Sequence, residues 1–161
     1  MAVFSRMLTA LDRVVEWLLA LVLALLVVIG GGQVLLRFVF HSPLSWALES
    51  SVILLVWATL LSGYVGVRRD CHLSADFLGL QMSPFTRWRL QVASLVLCLV
   101  FVAVYGWTSM VVIDAMEGIP FTSLPITQPV LYWSLPISAV LMAIALLDRL
   151  RLRVAQRPAD A

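Results

Sequence analysis

The side chains able to do chemistry in this 161-residue chain are few and lie in narrow bands. Glu49 borders a run without charge, Ser50 to Val67, and Arg37 closes an earlier one, Trp17 to Leu36. A carboxylate at such a boundary can hold a proton or a cation, or pair with a guanidinium; left alone beside hydrocarbon it costs a few kcal/mol. A second group follows the second run: Arg68 and Arg69, then His72 and Asp76, able to cap a helix by hydrogen bonding or to handle a proton. Catalytic constellations are missing. The sequence holds no HExxH, GxSxG or CxxC, and its two histidines, His41 and His72, are predicted at opposite membrane faces. Haem ligation inside a bilayer would need histidines within the apolar runs, where there are none. We therefore expect no enzyme and no cofactor. Cys71 and Cys98 are predicted about half a bilayer apart in depth, which argues for free thiols.

The elements that must position these groups follow from composition. The chain is 62% hydrophobic and 12% charged, with mean hydropathy +1.01. A soluble domain carries about 25% charged residues, so this is an integral membrane protein. A net charge of +2 gives no basis for nucleic-acid binding. Every basic residue is arginine.

Four apolar segments are long enough to cross a hydrocarbon core of about 30 Å at about 1.5 Å per residue. The sequence predicts spans at about 14–36, 43–67, 84–113 and 130–149, in one membrane domain covering residues 1–161. The first apolar run is longer than the core of a signal peptide and lacks a small-x-small cleavage site, so it reads as an uncleaved span. Within it, Gly30, Gly31 and Gly32 are expected to admit a close-packed neighbouring helix. Ser42 is a predicted N-cap with Pro43 at the first helical position, and Ser83 with Pro84 repeats the signal. Because only a short segment separates Arg37 from Glu49, the two residues are expected near one membrane face. There Arg37 either pairs with Glu49 or snorkels to lipid headgroups. Ala58, Ser62 and Gly66, with Thr59 and Gly63, form small-residue rows suited to helix packing. Leu73 to Met82 is too short to cross and is patterned as an amphipathic interfacial helix of residues 73–82. Pro120, Pro125 and Pro129 exclude a regular helix before the last span, where Pro136 is expected either to end the first turn or to kink the helix, with Ser134 or a neighbour taking up the freed carbonyl.

Charge asymmetry sets the expected orientation. In a four-span arrangement ten of the eleven arginines fall on one side, which the positive-inside rule makes cytoplasmic. Both termini and the interfacial helix are thus expected inside. The central turns of all four spans lack an ionisable residue that could bind a coupling cation. An independent proton- or cation-coupled transporter would have only Glu49 to rely on.

Four spans with cytoplasmic ends, Arg37 closing the first helix, Trp46 and Glu49 opening the second, Arg68 and Arg69 followed by His72 and Asp76, and Pro136 in the fourth resemble the small membrane subunit of tripartite ATP-independent periplasmic (TRAP) transporters, the DctQ-like family. The resemblance covers roughly residues 14–150 and rests on the order and spacing of these residues. It implies a subunit of the bacterial inner membrane that scaffolds a large DctM-like membrane subunit. In that family the large subunit carries out sodium-driven uptake of an organic acid delivered by a periplasmic substrate-binding protein. Arg37 and Glu49 would then tie the first hairpin together or to the partner, and Trp46 would anchor the periplasmic interface. His72 and Asp76 would cap and orient the interfacial helix, with a proton site at His72 as the other reading. The loops at 37–49 and 114–128 would be the places for the binding protein to touch. A small subunit of a tricarboxylate-type tripartite transporter is the related alternative.

Overall fold

The computed structural model describes residues 2–42, 44–69 and 83–156, and the ordered elements among them are helical. They are α1 (Ala2–Val39), α2 (Ser45–Arg68), α3 (Pro84–Ala115), α4 (Pro129–Tyr132) and α5 (Ser134–Ala155). Four stretches, with α4 and α5 counted together, are long and apolar enough to cross a membrane, with mean hydropathies between 1.8 and 2.6. The chain is an all-α membrane protein of four spans. The interfacial helix expected at 73–82, together with His72 and Asp76, lies outside the described residues.

Local chemistry explains most of the boundaries. α1 begins well before its apolar run, so Asp12 and Glu16 are helical residues one turn apart on its polar end. It ends where His41 enters the left-handed region at φ 52°, with the N–H groups of Phe40 and Ser42 both donating to the Leu36 carbonyl at 3.2 Å. Ser42 is thereby used to close α1. The N-cap position of α2 falls to Leu44, which offers no side-chain bond, so the cap expected at Ser42 is not formed. Glu49 consequently sits about one turn into α2 instead of two. Ser83 does cap α3, accepting from the Thr86 N–H at 3.3 Å, with Pro84 just inside the helix where its missing N–H is harmless. The last span is interrupted at Trp133, between α4 and α5. Pro136 cannot donate to the Tyr132 carbonyl four residues back, and the Ser134 hydroxyl donates nearby to the Leu131 carbonyl at 2.6 Å.

Packing centres on α5, which lies against both α3 and α2, while α1 packs on α2. The core joins Leu61 and Tyr64 of α2, Leu95 and Val102 of α3, and Ala139, Ala145 and Leu146 of α5. Close approach is built from small residues. The bare Cα of Gly63 faces the Met142 side chain, and a Cβ at Gly106 would stand 3.2 Å from that of Ala139. Of the rows of small residues in α2, Ala58 is buried, whereas Thr59 and Ser62 are exposed and donate their hydroxyls to the Leu55 and Thr59 carbonyls. Burial is uneven: 33% of the apolar window of the α4–α5 span is buried within the chain but only 6% of that of α1. Gly30, Gly31 and Gly32 meet nothing within 4 Å of where a Cβ would be, so the close packing expected there has no counterpart inside this chain.

Candidate functional site

Polar chemistry gathers at the two ends of the bundle, about 28 Å apart along α2 at about 1.5 Å per residue. At one end Arg68, in the last turn of α2, reaches two other helices. Its Nε and Nη2 donate to Oδ1 and Oδ2 of Asp12 at 2.9 and 2.6 Å, a two-pronged bond to α1. Its Nη1 donates to Asp148 Oδ2 of α5 at 2.8 Å. Tyr64, one turn earlier on α2 and almost wholly buried, adds its hydroxyl to Asp12 Oδ1 at 2.6 Å. Arg149 of α5 donates to the backbone carbonyl of Arg68, one of the carbonyls that a helix C-terminus leaves without an intrahelical partner. Outside this knot, Arg69 donates to Glu16 at 2.7 Å in an exposed pair.

The arrangement is a lock rather than a reaction centre. Side-chain exposures of 21% for Arg68, 25% for Asp12 and 14% for Asp148 place the charges where water is scarce, so each needs its counterpart. The planar guanidinium is the side chain suited to this, since its fork meets one carboxylate with two parallel bonds while a third N–H reaches another helix. α1, α2 and α5 are thereby fixed at one depth. On the same end, the Trp88 indole of α3 donates to the Arg153 carbonyl of α5 at 2.8 Å, which brings α3 into line with the other three spans.

At the opposite end Glu49 performs a different task. Its Oε1 accepts the backbone N–H of Thr122 at 2.9 Å, and its Oε2 accepts those of Ser123 at 2.9 Å and Leu124 at 3.1 Å. Three successive amides converging on one carboxylate form a concave anion site, here filled by the chain's own side chain. The loop they belong to is itself folded. Gly118, at φ +80°, turns the chain out of α3, and Pro120 faces Thr127 in an isolated antiparallel bridge. Flanking that bridge, the Phe121 N–H donates to Ile126 and the Gln128 N–H to Ile119. Glu49 holds the tip of this hairpin-like loop against α2.

The ion pair considered for Arg37 and Glu49 is therefore not formed. Both Glu49 oxygens are turned toward the 122–124 amides, while Arg37 is exposed, with its guanidinium 5.9 Å from the centre of the Phe38 ring. Physically, a carboxylate gains more from three fixed N–H donors than from one long, exposed guanidinium that must be ordered to reach it. Trp46, in the first turn of α2, is 40% exposed at the Glu49 end. Of the residues singled out from sequence, Arg68 is the one drawn into the lock. Its partners Asp12, Tyr64, Asp148 and Arg149 were missed. Their signal was in depth register, because Asp12 precedes the first apolar run, Arg68 follows the second and Asp148 follows the fourth, all at one end of an antiparallel bundle.

Among the described residues there is no group of three His, Cys, Asp or Glu placed to hold a metal ion. The central turns of the four spans contain no Asp, Glu, Arg or His. Nothing here builds a transport site at mid-membrane depth.

Comparison with known proteins agrees with this architecture. The profile described as "Tripartite ATP-independent periplasmic transporters, DctQ component" matches residues 26–156. The C4-dicarboxylate TRAP transporter small permease protein DctQ of Vibrio cholerae serotype O1 is 31% identical over 75 residues, 47% of this chain and 32% of that protein. The sialic acid TRAP transporter permease protein SiaT of Haemophilus influenzae is 30% identical over 141 residues, 82% of this chain and 21% of that protein. The aligned regions thus take up about a third and a fifth of those two relatives. A match over most of the chain, onto four apolar helices with their charges confined to the ends, establishes that the chain belongs to the DctQ family, the small permease component of TRAP transporters, and is a transporter component, not an enzyme.

Proposed function

We propose that the chain is the scaffold of a TRAP complex of the bacterial inner membrane, holding a large DctM-like subunit that performs sodium-driven, binding-protein-dependent uptake of an organic acid. The observation that carries this reading is the contrast between ends and middle. Charges lock helices together at one end and hold a loop at the other, while the middles of the spans carry no charge and few residues of α1 are buried within the chain. A subunit built in this way offers surface and rigidity and no cation site at mid-depth. Carboxylate substrates are favoured because the relatives named for C4-dicarboxylate and for sialic acid both act on carboxylic acids.

The positive-inside bias supports an orientation with both termini and the Arg68 lock at the cytoplasmic face and the 116–128 loop at the periplasmic face. In that orientation the Glu49-clamped loop is the element offered to the substrate-binding protein, with Trp46 beside it at the interface. Residues His72 and Asp76 keep the role proposed from sequence, orienting an interfacial helix on the cytoplasmic side. Affinity purification of the tagged chain from its own membranes, followed by reconstitution, tests the reading. A stoichiometric large polytopic partner, with uptake that needs both chains, a binding protein and a sodium gradient, is expected. Flux catalysed by the chain alone would refute it.

A further inference from the structure

The loop between α3 and α4 is ordered beyond what joining two helices requires. Its middle is held by the bridge from Pro120 to Thr127, by the Phe121 and Gln128 N–H groups that flank the bridge, and by the three amides on Glu49. With those amides turned toward α2, the side chains of Thr122, Ser123, Pro125 and Ile126 stay exposed. None of them carries charge, nor does any residue from Gly118 to Gln128. The exposed carboxylates Asp114 and Glu117 follow the apolar run of residues 90–113 before the loop turns, so the loop starts on the aqueous side of its span. A loop that only faced water would have no need to be both rigid and free of charge. Depletion of charge marks the centre of a protein–protein contact, and a segment ordered in advance removes the cost of ordering it on binding. We infer that Thr122, Ser123, Pro125 and Ile126 form an uncharged docking tip for the periplasmic substrate-binding protein, and that Glu49 is the positioning residue that keeps this tip in its bound shape. The partner patch is itself uncharged, offering hydrogen-bonding and apolar groups, since a charge buried against the tip would go unanswered.

The inference rests on the transporter reading and its orientation, and deepens them by naming the contact and what orders it. The test uses the chain in complex with its large partner in nanodiscs, with the transporter's own substrate-binding protein as the analyte in surface plasmon resonance. In E49Q the loop is no longer fully held, so the binding-competent fraction falls, and an association rate about ten-fold lower is expected with little change in dissociation. In I126E the backbone bond from Phe121 to the carbonyl of residue 126 is kept, so hydrogen exchange at residues 122–124 should stay as slow as in the native chain. Dissociation from I126E should nevertheless be about ten-fold faster, because a carboxylate is left unpaired in the contact. R151Q, exposed at the opposite end of the bundle, should match the native chain in both rates. Native rates in both E49Q and I126E would overturn the inference, as would an E49Q loss that falls wholly on the dissociation rate. Failure of the native complex to bind the protein at all would instead refute the transporter reading, and the inference with it.

Discussion

Arg68→Met removes the one side chain common to the three tied helices while keeping an unbranched apolar stem of similar reach. Three charge-assisted hydrogen bonds disappear, two to Asp12 and one to Asp148. The larger effect is what remains. Two carboxylates, with side-chain exposures of 25% and 14%, lose the guanidinium that joins them, although the Tyr64 hydroxyl still donates to Asp12. Breaking a buried pair by deleting one partner costs about 3–5 kcal/mol. With a fifth to a quarter of the Arg68 and Asp12 side chains exposed, we expect the lower half of that range, about 3–4 kcal/mol. The six tryptophans allow unfolding to be followed by intrinsic fluorescence in detergent. The decisive variant replaces the whole knot, R68M with D12L and D148L. Replacing a buried ionic group entirely by apolar side chains is often neutral, so this variant should recover most of the loss. A double-mutant cycle between Asp12 and Arg68 should show a coupling of about 1–3 kcal/mol. An R68M variant within about 0.5 kcal/mol of the native chain, the range of an ordinary surface substitution, would refute the lock, as would a triple variant that adds the single losses.

Glu49→Gln should cost about 1–3 kcal/mol locally, because one carbonyl oxygen cannot accept all three amides, and hydrogen exchange at residues 122–124 should accelerate at least several-fold. The exchanged pair R37E/E49R should not rescue it, since Glu49 answers backbone and not Arg37. Gly63→Leu should lower stability by about 1–3 kcal/mol through overpacking against Met142, and Met142→Ala should relieve much of that loss in thermal unfolding. Alanine at Gly30, Gly31 and Gly32 together should leave the thermal midpoint of the isolated chain unchanged or raised, because no atom of the chain stands in the way and helix propensity improves. Loss of the large partner from that variant in pull-downs would place the glycines at the subunit interface.

Much of the fold was legible because membrane helices obey a one-dimensional rule. Hydrocarbon forbids unpaired backbone groups, so each long uncharged run must be a helix, and the runs of residues 17–36, 50–67, 90–113 and 130–147 count the spans directly. Ser83 with Pro84 marked the start of α3 for an equally local reason, a hydroxyl three residues before an N–H that needs an acceptor. The same local signal failed at Ser42, where closing α1 through left-handed His41 took the residue first. Depth, too, was set by sequence: it put Arg37 and Glu49 at one end and Arg68 at the other.

What only the tertiary structure decided is who meets whom within a given depth. Charges at a bilayer boundary have several neighbours of opposite sign within reach, and the choice depends on helix rotation, which hydropathy does not encode. Glu49 was free by sequence to face Arg37; the turn at Gly118 and the bridge from Pro120 to Thr127 instead aim three amides at it from 73 to 75 residues away. Arg68 could have snorkelled to lipid, yet packing of α2 between α1 and α5 leaves it facing Asp12 and Asp148 with little water, where an unanswered charge is costly. Sequence fixes which segments must cross and where their charges stop; the packing of Gly63 on Met142 and of Gly106 on Ala139 sets the rotations that turn those charges into a lock.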